Sequence, residues 1–136
     1  MSEGKARILI IDDQPSEVKM VRMALEMAGY EVSHAYNGRE GLEKACSEKP
    51  DLIILDVMMP EKDGFVACGD LKRNPTTASI PIIVMTSVES SSLIFPDAEN
   101  AAGAPHANEY IDKPVDPNFL LKRVERLLKR ADRPVQ

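Results

Sequence analysis

The sequence predicts an α/β domain in which five parallel strands form one doubly wound sheet with helices on both faces. Two observations carry this. Short, continuous apolar runs alternate five times with segments of helical period. A strand without polar alternation is buried on both faces, the mark of a parallel sheet covered by helices. The runs also end in charge. Arg7-Ile8-Leu9-Ile10-Ile11 stops at Asp12-Asp13, Leu52-Ile53-Ile54-Leu55 at Asp56, and Glu109-Tyr110-Ile111-Asp112 at Lys113-Pro114. In a parallel sheet these ends share one edge, and ligands of open α/β sheets bind beyond that edge.

Each element has its own signal. Ile8 to Ile11 is β-rich and too short for a helix. Pro15 suits a first helical turn, and Val18, Val21, Leu25 and Ala28 keep the helical period up to Gly29, a suitable stop. Glu31 to Ala35 reads as the second strand. Asn37-Gly38 turns into a helix carrying Leu42, Ala45 and Cys46, closed by Pro50. Leu52 to Leu55 is the third strand. A loop, Met59 to Gly64, leads into a helix with Phe65, Val66 and Leu71 that ends at Asn74-Pro75. Ile80 to Met85 reads as the fourth strand, with Pro81 near its start, where a missing donor is tolerated. Tyr110-Ile111 forms a short fifth strand. Asp116 caps the last helix and Pro117 opens it, and Leu120, Leu121, Val124, Leu127 and Leu128 give it an apolar stripe.

Size and composition narrow the classes of function. A chain of 136 residues is one domain with a core of its own, here expected over residues 6–131, with 1–5 and 132–136 as loose termini. A net charge of -5 argues against general attraction to nucleic acid. Cys46 and Cys68 lack metal-site spacing and read as reduced thiols of a cytoplasmic protein. No run is long enough to span a bilayer, so no membrane association is expected.

The clustered acids point to chemistry. Two carboxylates about 5 Å apart repel by roughly 3 kcal/mol at an effective dielectric near 20, so three at one edge call for a cation. Mg²⁺, or Mn²⁺ in its place, takes carboxylates, waters and phosphate oxygens. A carboxylate is also a nucleophile that forms an aspartyl-phosphate. Asp56, the single acid at its strand end, is the candidate phosphoacceptor. Asp12 and Asp13 would hold the metal, and Lys113 would balance charge on phosphoryl oxygens. Taken singly, each residue has a plainer reading. A strand-end Asp serves as a turn or cap, Asp-Asp before a helix as a dipole partner, and Lys-Pro as loop. Their joint occurrence at matching strand ends favours the site.

Four motifs in order complete the pattern: Ile10-Ile11-Asp12-Asp13, Leu55-Asp56-Val57-Met58-Met59-Pro60-Glu61-Lys62-Asp63-Gly64, Val84-Met85-Thr86-Ser87, and Tyr110-Ile111-Asp112-Lys113-Pro114. With them the chain resembles, over nearly its whole length, a chemotaxis-regulator-like receiver domain of two-component response regulators. The resemblance implies a flavodoxin-like (βα)5 sheet of order 2-1-3-4-5. It implies transfer of a phosphoryl group to Asp56 from a sensor histidine kinase or histidine phosphotransfer protein, in a signalling switch rather than an enzyme. It further implies Asp13 and Asp56 as side-chain metal ligands, Asp12 acting mainly through water, the Met58 carbonyl as backbone ligand, Lys113 on the phosphoryl oxygens and a cis bond at Pro114. Thr86 would bond the phosphoryl group and Tyr110 would turn toward the space this vacates. Apolar Met58 and Val88, at positions where similar proteins help place the attacking water, imply slow self-dephosphorylation.

The surfaces are less specific. Met20, Met23 and Met27 fall opposite the Val18, Val21 and Leu25 face and resemble the face offered to a kinase. Lys122, Arg123, Arg126, Lys129 and Arg130 read as a solvated face, not a nucleic-acid interface, since no aromatics interleave. The main departure from the family is the long segment from Thr86 to Lys113. There a short helix from Pro96 to Ala102 and an added loop at Pro105-His106-Ala107 are expected, with His106 a loop residue. The leading reading is a stand-alone regulator or phosphorelay shuttle with an unknown output protein. The alternative is the receiver of a multidomain regulator or hybrid kinase. A metal-dependent aspartyl phosphatase is disfavoured because Met58 stands where its second acid would be. A phosphorylation-independent binding module is disfavoured by the complete acidic set.

Overall fold

The computed structural model describes residues 5–56, 63–86 and 107–132. Within them the chain runs β1 (Arg7–Ile11), α1 (Pro15–Met27), β2 (Glu31–Ala35), α2 (Gly38–Glu48), β3 (Leu52–Asp56), α3 (Asp63–Arg73), β4 (Ile82–Thr86), β5 (Glu109–Asp112) and α4 (Pro117–Asp132). The strands pair in parallel in the order β2-β1-β3-β4-β5, as the alternation predicts. The expected helix from Pro96 to Ala102, the loop at Pro105-His106, Val88 and the Met58 carbonyl lie outside the described residues.

The two-residue period of a strand divides the apolar runs between two cores. Ile8, Ile10, Leu52, Ile54, Ile83 and Met85 pack with α1 and α4 through Val18, Val21, Leu25, Leu120, Val124 and Leu127. Leu9, Ile11, Ile53, Leu55, Ile82 and Val84 point to the other face and pack with α2 and α3 through Ala45, Ala67, Cys68 and Leu71. Continuous apolar runs are therefore required in β1, β3 and β4, because each of these strands serves both layers.

Local signals set the boundaries. Gly29, after α1, takes a left-handed φ of +99° and its N–H donates to the Glu26 carbonyl. Asn37 caps α2 by accepting from the Glu40 N–H at 2.8 Å, while the Glu40 carboxylate accepts from the Tyr36 N–H at 2.7 Å. The Asp116 carboxylate accepts from the Asn118 N–H at 3.0 Å and so caps α4. β4 starts two residues later than its apolar run. The Ile80 N–H is taken by the Thr77 carbonyl, and Pro81 has no N–H to give. Among the described residues no helix is long and apolar enough to cross a membrane.

Candidate functional site

Parallel register carries the charged strand ends to one edge. Ile11 is level with Ala35 on one side and Leu55 on the other, so Asp12 and Asp56 leave the sheet side by side. Asp56 pairs with Met85, which puts Thr86 one residue further along β4, and Thr86 pairs with Asp112. The Lys113 N–H donates to the Thr86 carbonyl at 2.8 Å, joining the backbones of these two residues. The Lys113-Pro114 peptide is cis.

Asp12, Asp13 and Asp56 each offer a carboxylate oxygen within 4.8 Å of the others. Asp12 and Asp56 are fully buried. One Asp12 oxygen accepts from the Gln14 N–H at 2.9 Å. Its other oxygen, Oδ2, and Asp13 Oδ1 are buried without a hydrogen-bond partner. At this spacing each ionised pair repels by roughly 3 to 4 kcal/mol at an effective dielectric near 20. Lys113 reaches this edge with Nζ 3.0 Å from Asp56 Oδ1. A single ammonium does not balance three carboxylates. An all-oxygen donor set with orphaned buried lone pairs fits a hard divalent cation, and Mg²⁺ suits two carboxylates plus waters.

A fourth acid joins them, one that the strand-end pattern does not point to. Glu17, in the first turn of α1, places Oε1 2.9 Å from the same Lys113 Nζ. Its signal in the sequence is an acid within one turn of Asp12-Asp13 on a helix that begins at the reaction edge. Burial pushes the Asp12 carboxyl up to about 9, helped by the adjacent Glu17 carboxyl and opposed by the Gln14 N–H. Burial also works to raise Glu17, but the neighbouring Asp12 carboxyl and the Lys113 ammonium outweigh it and hold that carboxyl below its ordinary value. Burial works to lower Lys113, and the Glu17 and Asp56 carboxylates outweigh that and raise it. A proton on Asp12 and a divalent cation are thus alternative answers to the same crowding of charge.

The supporting groups explain how Asp12 is held. His34, on the edge strand β2, places Nε2 2.8 Å from the Asp12 carbonyl, and because a carbonyl only accepts, Nε2 carries the proton. The Lys44 ammonium donates to the His34 carbonyl. On α2, Gly41 approaches so closely that an added Cβ would lie 2.4 Å from Ile11 Cδ1.

The remaining sequence-predicted residues are dispersed around this centre. Thr86 is buried at the end of β4. Tyr110 is 45% exposed on β5, and its hydroxyl accepts from the Ala107 N–H at 3.2 Å. Met20, Met23 and Met27 are 38%, 52% and 84% exposed on α1, while Val18, Val21 and Leu25 are buried. Arg123 on α4 pairs with Glu109 at 3.4 Å and lies over the Phe119 ring, and Lys129 pairs with Glu125.

The chain is similar to known proteins. The chain is 41% identical over 127 residues to the DNA-binding dual master transcriptional regulator RpaA of a Synechocystis strain, covering 93% of this chain and 51% of RpaA. It therefore spans about half the length of that relative. It is 36% identical to the protein PilH of Pseudomonas aeruginosa over 124 residues, 90% of this chain and 98% of PilH. Among solved structures, the receiver domain of the sensor histidine kinase PA1611 from Pseudomonas aeruginosa superposes with a TM-score of 0.77 at 26% identity, covering 92% of this chain and 98% of that one. That domain holds a magnesium ion coordinated in its active-site cleft. Residues 8–125 match the response regulator receiver domain family, and with the sheet order and acidic edge described above the chain belongs to that family.

Proposed function

We propose that this receiver domain takes a phosphoryl group onto Asp56 and that partner binding responds to it. The observation that carries the reading is the grouping of Asp12, Asp13 and Asp56 within 4.8 Å, two of their oxygens buried without hydrogen-bond partners, with Lys113 Nζ 3.0 Å from Asp56. Asp13 and Asp56 would hold Mg²⁺ or Mn²⁺ by their side chains, with Asp12 acting mainly through water and Met58 offering its carbonyl. When bound, the cation neutralises charge on the transferring phosphoryl oxygens. The Asp56 carboxylate attacks phosphorus in line while the bond from phosphorus to the donor histidine nitrogen breaks; that nitrogen keeps the bonding pair, and with a proton on the other ring nitrogen the imidazole leaves neutral. Lys113 donates to the phosphoryl oxygens and so stabilises the charge that Asp56 gains.

The readout rests on Thr86 and Tyr110. A phosphoryl group of about -1.5 to -2 charge offers three acceptor oxygens beside the buried Thr86 hydroxyl. A bond to Thr86 favours one of two packings of the β4 end and biases Tyr110 on the neighbouring strand inward. The donor would be a sensor histidine kinase or histidine phosphotransfer protein, docking on the exposed methionines Met20, Met23 and Met27 of α1. Likeness to PilH over 98% of that protein's length supports a stand-alone regulator or phosphorelay shuttle.

Incubation with a small phosphodonor and Mg²⁺, read by intact mass, tests the assignment. One phosphoryl group is expected on the wild type and none on Asp56→Asn. Labelling that persists in Asp56→Asn rejects Asp56 as acceptor.

A further inference from the structure

Lys113 is shared. Its Nζ lies 3.0 Å from Asp56 Oδ1 and 2.9 Å from Glu17 Oε1, and the lysine and Glu17 side chains are only 18% and 20% exposed. The pair with Glu17 is therefore unlike the solvated i,i+4 bridges elsewhere on the helices, whose partners are more exposed. It also joins the first turn of α1 to the far end of the sheet, whereas Lys113 is needed at the reacting group. An ammonium has three N–H donors, and a phosphoryl group on Asp56 brings three acceptor oxygens and a second strong negative charge.

We propose that Glu17 is a positioning residue that competes with the phosphoryl group for Lys113. The inference rests on the reading of Asp56 as the phosphoacceptor. In the unphosphorylated protein Glu17 holds the ammonium between α1 and β3. As the phosphoryl group arrives, Lys113 gives up Glu17 for the phosphoryl oxygens, and the carboxylate left behind faces a group of its own sign. Glu17 thus disfavours the phosphorylated state and slows its formation. It sets the level of spontaneous phosphorylation from small metabolic phosphodonors, acyl phosphates among them, in the absence of a kinase.

Acetyl phosphate is the probe. An Asp56 oxygen forms the new bond to phosphorus while the acyl oxygen–phosphorus bond breaks and acetate leaves. Rates are followed by intact mass at saturating Mg²⁺ for wild type, Glu17→Gln, Lys113→Ala and the double variant, with Asp56→Asn in parallel. Glu17→Gln keeps the shape of the side chain, and its thermal melting reports that it folds. We expect it to label roughly three- to tenfold faster than wild type, and the gain to disappear when Lys113 is also replaced, as a double-mutant cycle requires of a residue acting through its partner. Unchanged or slower labelling by Glu17→Gln overturns the proposal, and slower labelling together with weakened Mg²⁺ binding makes Glu17 part of the metal site instead. An equal gain in the Lys113→Ala background also overturns it, because the carboxylate then acts as a general field on the anionic donor. Labelling of Asp56→Asn rejects the phosphoacceptor assignment itself, a result separate from any of these.

Discussion

Gly41→Ala tests how tightly the helices fix the reaction edge. The added Cβ would sit 2.4 Å from Ile11 Cδ1, 2.8 Å from Cγ1 and 3.1 Å from Cγ2. Ile11 is fully buried among Ala35, Ala45, Leu55 and their neighbours, so its side chain has no free space to enter. Overpacking of this kind costs about 1 to 3 kcal/mol. Alanine in a helix recovers up to about 1 kcal/mol relative to glycine. The net expectation is a loss of up to about 2 kcal/mol, a fall of up to roughly one molar in the urea midpoint for a slope usual in small domains. Ile11→Val supplies the control. Alone it leaves a small cavity and costs about 0.5 to 1.5 kcal/mol. In the Gly41→Ala background it removes the atom under greatest compression, so it should cost nothing or restore part of the loss. The two changes should therefore couple by about 1 kcal/mol in urea unfolding of the four proteins. Additive effects of the two changes would refute the reasoning. Because Asp12 follows Ile11 on the backbone, the single variant should also bind Mg²⁺ more weakly.

Four further outcomes follow from the geometry. Asp12, raised from 3.8 to about 9 in the fold, binds a proton that the unfolded chain loses near pH 4, so the metal-free protein should lose stability progressively as pH rises from about 4 to 9. Over the same window Mg²⁺ displaces that proton, and its apparent affinity should rise by up to about tenfold per pH unit, a slope that calorimetric titration in buffers of different ionisation enthalpy reads directly; a flat profile would contradict the buried, protonated Asp12. Thr86→Ala should still be phosphorylated but bind its output partner poorly, and full partner binding by the phosphorylated variant would remove Thr86 from the switch. Asn108→Ala should lower stability by about 1 to 3 kcal/mol in thermal or urea unfolding, since the Asn108 side-chain oxygen accepts from both the buried Ile82 N–H at 2.9 Å and the Lys72 ammonium at 3.2 Å.

The nucleus of the site was legible because it depends on local pattern. Apolar runs that stop at Asp12, Asp56 and Asp112-Lys113 specify strands, and parallel pairing then brings their ends together without further information. The start of β4 was less legible, because its apolar run includes Ile80, whose N–H turns back to Thr77. Asn108 carries no signal in the sequence, yet it pins the start of β4 to the entry of β5 through Ile82 and Lys72.

The sequence by itself determined which stretches form strands and helices and which charges emerge at the sheet's carboxyl edge, because a strand's two-residue period and a helix's turn are properties of near neighbours. Only the tertiary structure decided that Glu17 reaches Lys113, that burial pushes the Asp12 carboxyl up, and that α2 must carry glycine against Ile11. Those outcomes depend on how closely helices from distant parts of the chain settle on the sheet. That distance is set by the combined packing of both cores, and no short stretch of residues encodes it.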